Sequence, residues 1–298
     1  MMKEQILALK KEKKALILAH YYQTIDIQEI ADHVCDSFEM ARRAHEAHEE
    51  LLIICGVQFM AESAKILNPD KTVLIPAPDA GCPMADMIEP QDVVELRERY
   101  PDAAVVCYVN SSAAVKAVSD ICCTSSSAER IVRALPEKQV IFVPDRNLGA
   151  YVASRVPEKE IILFEGFCPT HDRVTEADVI AAKSAYPSAK FLIHPECRAD
   201  VLEHADFIGS TAGIIGEAMG DGREFVIGTE IGVVERLKAL APDKKFYPLT
   251  NSFVCPNMKK CRLSDVLYSL EHGEFEVTLS KEEINAARES LERMVALG

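Results

Sequence analysis

The chain lacks several features that would have named a function class at once. Its 298 residues include no tryptophan and only 6% aromatic residues. No apolar run approaches the roughly 20 residues that are needed to span a bilayer. The first residues, MMKEQILALKKEKK, have the pattern of an amphipathic helix and not of a secretory signal peptide. We therefore expect a cytoplasmic protein without a membrane segment.

Positive charge is also in short supply. There are 33 lysines and arginines against 47 aspartates and glutamates, which gives a net charge of −14. This balance disfavours general nucleic-acid binding. The sequence has neither a P-loop nor a GxGxxG motif, so nucleotide binding is unsupported. It has no CxxC pair, the usual arrangement of structural zinc ligands. Small anionic substrates are not excluded, because local donors decide their binding.

Cysteine, by contrast, is plentiful, and three of the ten cysteines share one setting. Cys82, Cys168 and Cys255 each precede a proline and each follow a predicted strand, and they are 86 and 87 residues apart. An equal spacing of this length indicates one unit used three times. Because cytosolic thiols are normally kept reduced, such cysteines point to metal binding, redox chemistry or catalysis.

Further sets of residues recur at nearly the same spacing. Beyond the ends of three predicted strands the matched residues are His20, Tyr108 and His194, followed two positions later by Tyr22, Asn110 and Glu196. Ahead of three predicted helices they are the aspartates Asp32, Asp120 and Asp206 and the hydroxyl residues Ser37, Ser125 and Thr211. Agreement among several separate sets indicates an internal repeat and not chance.

Strands and helices alternate along each repeat, which is typical of parallel sheets covered by helices. We predict an α/β fold of three repeated three-layer αβα units, arranged with pseudo-threefold symmetry around a central active site. The units comprise residues 1–82, 83–168 and 169–255. Residues 256–298 form a C-terminal tail, whose helix over 281–297 we expect to pack on unit one.

The matched side chains predict the chemistry of that centre, because ligands of parallel α/β units bind beyond the carboxyl ends of the strands. The histidines, tyrosines and glutamate can transfer protons. Each hydroxyl residue either caps its helix or, beside a helix N-terminus, binds phosphate or carboxylate groups.

Three interpretations of the matched cysteines stay open at this point. They could hold an iron–sulfur cluster with one iron left open, or a zinc ion with or without His171, or they could pack as repeat equivalents. The other seven cysteines are interpreted as core residues or bystanders, and they are Cys35, Cys55, Cys107, Cys122, Cys123, Cys197 and Cys261.

A set of motifs runs in order from about Leu16 to about Lys260: AHYYQ, AESAKILNPDK, CPMA, YVNSS, CTSSSA, PDRNLG, CPTH, HPEC, GSTAG, GTEIG and CPNMKK. Together they resemble the quinolinate synthase (NadA) family. The resemblance implies one [4Fe–4S] cluster per chain, held by Cys82, Cys168 and Cys255. It also implies condensation of iminoaspartate with dihydroxyacetone phosphate to quinolinate, phosphate and water, in the de novo biosynthesis of NAD.

The resemblance further implies roles for the matched residues. Tyr22 and Glu196 would be the acid–base pair near an open iron that acts as a Lewis acid for dehydration. His20 and His194 would complete the catalytic set by positioning carboxylates or carbonyls. The substrate-binding residues would be His20, Ser37, Tyr108, Asn110, Ser125, His194, Glu196 and Thr211. An unstable imine also favours transient contact with an aspartate-oxidising enzyme.

Two other function classes fit the same cysteines. One is an iron–sulfur sensor that turns nothing over, although the acidic chain shows no basic patch for a nucleic-acid partner. The other is a zinc-dependent lyase or hydrolase on the same scaffold. Colour separates them, since a zinc protein is colourless and a [4Fe–4S] protein is brown.

Overall fold

Three parallel sheets of four strands each form the framework of the computed structural model, which describes all 298 residues. Within each sheet the first two strands of a unit are neighbours and the third lies on the other side of the first, so every sheet has the order 2-1-3-4. The same order in all three sheets confirms the predicted α/β fold of three repeated units.

Unit one begins with a helix that precedes its first strand. Its elements are α1 (Met2–Glu12), β1 (Ala15–His20), α2 (Ile25–Gln28), β2 (His33–Cys35), α3 (Ser37–Glu46), β3 (Leu51–Cys55), α4 (Gln58–Leu67) and β4 (Thr72–Leu74).

Unit two repeats this sequence of elements after a short 3₁₀ turn over Ala85–Met87. They are α5 (Pro90–Arg99), β5 (Ala104–Tyr108), α6 (Ala113–Ala117), β6 (Ile121–Cys123), α7 (Ala128–Ala134), β7 (Gln139–Val143), α8 (Arg146–Arg155) and β8 (Glu160–Leu163).

Unit three carries one additional short helix at its start. Its elements are α9 (Pro169–Asp172), α10 (Glu176–Ala185), β9 (Lys190–Ile193), α11 (Ala199–Leu202), β10 (Phe207–Ile208), α12 (Thr211–Met219), β11 (Glu224–Gly228), α13 (Ile231–Leu240) and β12 (Lys245–Pro248). No helix anywhere in the chain is both long and apolar enough to cross a membrane.

The central strands are apolar on both faces because helices cover both faces of each sheet. All six residues of β1, ALILAH, are buried, as are all five of β5. In β9 the alternation of side chains places Phe191 and Ile193 in a separate core of unit three and Leu192 in the large core that runs through the molecule. Continuous apolar runs of this kind are typical of buried parallel strands.

The tail closes the molecule with α14 (Leu263–His272) and α15 (Lys281–Leu297). We expected the last helix on unit one. It instead lies mainly along α6 and β6 of unit two and also contacts α4 of unit one. Ser290 Oγ and the Arg293 guanidinium donate to carbonyl oxygens in unit two, at 3.0 and 2.8 Å. The helix therefore bridges two units.

The structure shows why an aspartate recurs at the same position in each unit. The carboxylates of Asp32, Asp120 and Asp206 each accept a backbone N–H near the start of the first strand of their unit, at 2.7–2.8 Å. The N–H of each aspartate donates back to the same strand residue at 2.9–3.1 Å. One side chain thus fixes the loop between the first two strands in every unit.

Asp206→Ala should lower the free energy of unfolding by about 1–3 kcal/mol, because the Phe191 N–H loses its acceptor inside the fold. Asp206 suits the test because it makes no ion pair, unlike Asp32 and Asp120. Urea unfolding followed by circular dichroism measures the change. The exposed Asp221→Ala is the control, with an expected change below about 0.5 kcal/mol. Equal stability of Asp206→Ala and wild type would contradict this role.

Candidate active site

The carboxyl ends of the three sheets face one central cavity of about 130 Å³. Its volume is well below the roughly 300–1,000 Å³ of sites for drug-sized ligands, which indicates a small ligand. All the residues that the sequence singled out for the site line this cavity: His20, Tyr22, Ser37, Cys82, Tyr108, Asn110, Ser125, Cys168, His194, Glu196, Thr211 and Cys255. The repeat spacing therefore located the cavity, whereas the roles of the residues must be argued from their contacts.

Two histidines are held by the same local turn in units one and three. The Nδ1 atom of His20 accepts the N–H of Tyr22 at 3.1 Å, and Nδ1 of His194 accepts the N–H of Glu196 at 3.3 Å. Burial lowers the pKa of His20 to about 3 and that of His194 to about 4. Both rings are consequently neutral at pH 7. With Nδ1 accepting, each ring carries its proton on Nε2, as a hydrogen-bond donor.

Glu196 is the buried negative charge of the site. Its Oε1 accepts the hydroxyl of Tyr108 at 2.6 Å, and its Oε2 lies 2.8 Å from Nδ1 of His171. Burial alone would raise the pKa of Glu196, but the electrostatic effects of His171 and His194 and the hydrogen bonds from His171 and Tyr108 lower it well below its usual value. The side chain is therefore ionised although it is almost inaccessible to water.

A continuous chain of hydrogen bonds runs from Glu196 to Tyr22. His171 Nε2 lies 3.0 Å from Thr229 Oγ1, which lies 2.8 Å from the hydroxyl of Tyr22. That hydroxyl is also 3.1 Å from Thr211 Oγ1. Burial, reinforced by the charge of Glu196, raises the pKa of Tyr22 well above its usual value, so the phenol is protonated at rest. The arrangement is suited to moving a proton between the cavity and a buried charge.

Two members of this chain were not among the predicted acid–base residues. His171 was predicted only as an alternative zinc ligand, and Thr229, which lies inside the GTEIG motif, was not predicted as a site residue. The available signal was position, since Thr229 directly follows β11, at the carboxyl edge of the third sheet. Sequence could not show that its hydroxyl lies between His171 and Tyr22, because these residues belong to different units.

The alternative that the matched hydroxyl residues cap their helices is wrong. Asp36 and Ser210 cap α3 and α12, with side-chain oxygens that accept backbone N–H groups at 3.0 and 3.1 Å. Ser37 and Thr211 are the next residues, and Ser125 precedes the start of α7. Other residues stand at the N-caps, so these three hydroxyls do not serve as caps and line the cavity instead. Those of Thr211 and Ser125 already contact Tyr22 and His194.

The three matched cysteines form one rim of the cavity. Each is half-buried, and no cysteine in the chain forms a disulfide. Burial raises the pKa of all three thiols, that of Cys82 to about 12. The proximity of Cys255 adds to the rise in the pKa of Cys82, and burial, Glu196 and Cys82 all raise that of Cys168. As thiolates the cysteines would therefore disfavour one another's charge, an effect that a bound cation would offset.

The local backbone of each cysteine suits a thiolate. In all three Cys-Pro loops the backbone N–H of the third residue after the cysteine lowers the pKa of the thiol and partly opposes the effect of burial, and these residues are Ala85, His171 and Met258. Hydrogen bonds to sulfur are one of the means by which proteins tune iron–sulfur clusters. Three thiols from three units with matching N–H donors therefore fit a cluster held by three ligands.

The zinc alternative with His171 fits less well. Cys168 Sγ, His171 and Glu196 do lie within 4.8 Å of one another and could bind a metal ion. Yet both ring nitrogens of His171 already have partners, Glu196 at Nδ1 and Thr229 at Nε2. A zinc ion on this histidine would have to break the hydrogen-bonded chain.

Fold and site together define the class of protein. Three αβα units place buried acid–base groups, hydroxyl side chains and three thiols around one small cavity, as expected of an enzyme for a small polar substrate.

Comparison with known proteins identifies the family. The model of the NadA family, quinolinate synthetase A protein, matches residues 4–296. The chain is 52% identical over 296 residues to the quinolinate synthase of Caldicellulosiruptor saccharolyticus, covering 99% of this chain and 98% of that protein. It is 48% identical over 295 residues to that of Thermodesulfovibrio yellowstonii, with coverages of 99% and 97%. The chain belongs to the quinolinate synthetase A (NadA) family of enzymes, as the motifs predicted.

The lowered pKa of His194 predicts acid sensitivity. Below about pH 6.5 the unfolded chain binds a proton at this residue, while the folded protein does not until about pH 4. Stability should therefore fall as the pH drops through this window. Between pH 7 and 4.5, His194→Asn should lose roughly 2–3 kcal/mol less unfolding free energy than wild type. Urea unfolding at both pH values tests this, with exposed His45→Asn as control, and equal losses in all three proteins would contradict it.

Proposed function

We propose that this chain acts as a quinolinate synthase, which condenses iminoaspartate with dihydroxyacetone phosphate and releases phosphate and water. One observation carries the proposal. The rim of three cysteines and the chain from Tyr22 to Glu196 border the same small cavity, so a metal cluster and a proton-transfer path would act on one substrate. The product, quinolinate, would serve the biosynthesis of NAD.

Cys82, Cys168 and Cys255 would hold a [4Fe–4S] cluster, one thiolate from each unit. With three protein ligands such a cluster leaves one iron open, and when bound it supplies a Lewis acid for loss of a hydroxyl group. We place the unit boundaries at 1–82, 83–168 and 169–255, so that each unit ends at its ligand. Ten unpaired cysteines suit a reducing compartment, which supports a cytoplasmic location.

The hydroxyl residues would bind the anionic groups of the substrates. Ser37 and Thr211 begin α3 and α12, where free backbone N–H groups and the helix dipole favour negative charge. Ser125 is oriented by His194, whose Nε2 lies 3.2 Å from its Oγ. Neutral donors of this kind can bind phosphate and carboxylates in a cavity with few cationic side chains.

Tyr108 and Asn110 would line the pocket for the triose-derived half of the substrate. Asn110 Oδ1 is buried without a hydrogen-bond partner, which supports this assignment, because a buried amide oxygen normally has a donor. A substrate hydroxyl would provide it. The hydroxyl of Tyr108 already donates to Glu196, so this residue would serve mainly as part of the pocket wall.

Tyr22 would exchange protons with the substrate through the hydrogen-bonded chain. When His171 carries its proton on Nδ1, toward Glu196, its Nε2 accepts from Thr229, and Thr229 accepts from Tyr22. When Tyr22 passes its proton along this chain, His171 would become an imidazolium and the phenolate of Tyr22 would take a proton from the substrate. When Tyr22 gives a proton to the substrate, His171 would return one to Tyr22 through Thr229. Ionised Glu196 stabilises the imidazolium that forms, while neutral His20 and His194 position carbonyl and carboxylate oxygens. Transient contact with an aspartate-oxidising enzyme would deliver the unstable imine.

Cys168→Ser should abolish stoichiometric cluster binding without unfolding the chain, because Cys168 lies at the edge of the hydrophobic core and serine is of similar size. Anaerobically purified wild type should be brown and contain about four irons per chain. Cys122→Ser is the matched control. Cys122 is a buried residue of β6 that faces Ser290 of α15, and a serine hydroxyl can keep this contact. Full iron content in Cys168→Ser, or a colourless zinc-loaded wild type, would overturn the ligand assignment.

Tyr22→Phe should reduce turnover by roughly 10²–10⁴-fold at unchanged iron content, because the phenol is the group that transfers the proton. Thr229→Val should act in the same direction, because it interrupts the chain to His171. Tyr21→Phe is the control, since this neighbouring ring does not line the cavity. Near-normal turnover of Tyr22→Phe would remove the phenol from the mechanism.

A further inference from the structure

A partly buried ion pair next to the cavity takes no part in the proposed chemistry. Glu230, the N-cap residue of α13, is completely buried. The ammonium of Lys259 lies 3.1 Å from both of its carboxylate oxygens. A buried charge pair is an uncertain source of stability, because desolvation opposes the attraction between the charges. Its partners suggest a different use.

The carboxylate of Glu230 accepts hydrogen bonds from two separate backbone segments of the third unit. Its Oε1 accepts the N–H of Cys255 at 3.3 Å, and its Oε2 accepts the N–H of Gly232 at 2.7 Å. One side chain therefore joins the loop of a proposed cluster ligand to the N-terminus of α13.

Lys259 extends this connection into unit one. Its ammonium donates to the carbonyl oxygen of Tyr22 at 2.6 Å. The two backbones are tightly packed here, since a Cβ on Gly232 would lie 2.8 Å from the carbonyl oxygen of Tyr21. The path from Cys255 through Glu230 and Lys259 to Tyr22 thus consists of three successive hydrogen bonds of 3.3, 3.1 and 2.6 Å.

We propose that Glu230 and Lys259 are positioning residues that hold the Cys255 loop and the Tyr22 turn at a fixed separation. This inference rests on the proposed function, in which Cys255 binds the cluster and Tyr22 transfers the proton. A displacement of about 1 Å between reacting groups can cost about 10²-fold in rate, so a rigid link between these elements has catalytic value. Neither side chain needs to touch the substrate.

The test uses Lys259→Met, which keeps most of the length of the side chain and removes the charge. Turnover per bound cluster should fall by about 10–100-fold. Hydrogen–deuterium exchange in the cluster-free protein should accelerate about tenfold or more in two segments together, the Cys255 loop and the Tyr21–Gln23 turn. The matched control is Lys260→Met. Lys260 neighbours Lys259 in sequence but pairs with exposed Asp79, and it should leave turnover and exchange at the Tyr21–Gln23 turn within about twofold of wild type.

The outcomes separate this inference from the proposed function. Wild-type exchange in both segments of Lys259→Met, or acceleration at the Cys255 loop alone with normal turnover, would overturn the link. If wild type binds no iron and makes no quinolinate, the proposed function fails, but the exchange measurement still decides whether the pair joins the two segments. Should Lys259→Met fail to fold, Glu230→Gln takes its place, with the same two readouts and smaller expected effects.

Discussion

The meeting of three sheet edges at one point is the constraint on which the rest of this structure depends. In a parallel sheet every strand delivers its following loop to the same edge, and here three such edges face one cavity. Each unit contributes a thiol and at least one polar side chain, and no unit contains the hydrogen-bonded chain by itself. The site therefore exists only when all three units are packed together.

Burial sets the protonation states within that cavity. Removal from water keeps His20 and His194 neutral and Tyr22 protonated, while Glu196 stays ionised because several donors converge on it. In water at pH 7 a phenol is protonated and a carboxylate ionised as well, but about a quarter of free imidazole rings carry a charge. Burial makes both histidines uniformly neutral donors beside a carboxylate that stays ionised, which suits acid–base chemistry on an anionic substrate.

The sequence predicted the parts of this protein that repeat. The repeat spacing alone predicted that the matched residues of three units meet at one cavity, and the alternation of strands and helices predicted the parallel sheets. Features that occur only once could not be predicted from the repeat. The packing of α15 across units one and two depends on surfaces distant in sequence, and the contacts of Thr229 join residues of units one and three. The roles of Ser37 and Thr211 depended on a one-residue distinction between a cap and the residue after it, which spacing cannot resolve.

The proposed activity, synthesis of quinolinate in this cavity, can be measured directly. Iminoaspartate is generated under anaerobic conditions in the presence of dihydroxyacetone phosphate and the purified protein, whose iron and sulfide content has been determined. We expect the reaction to form quinolinate, identified by its mass, and an equal amount of inorganic phosphate over many turnovers. Cluster-loaded protein that releases no phosphate and forms no quinolinate under these conditions would contradict it.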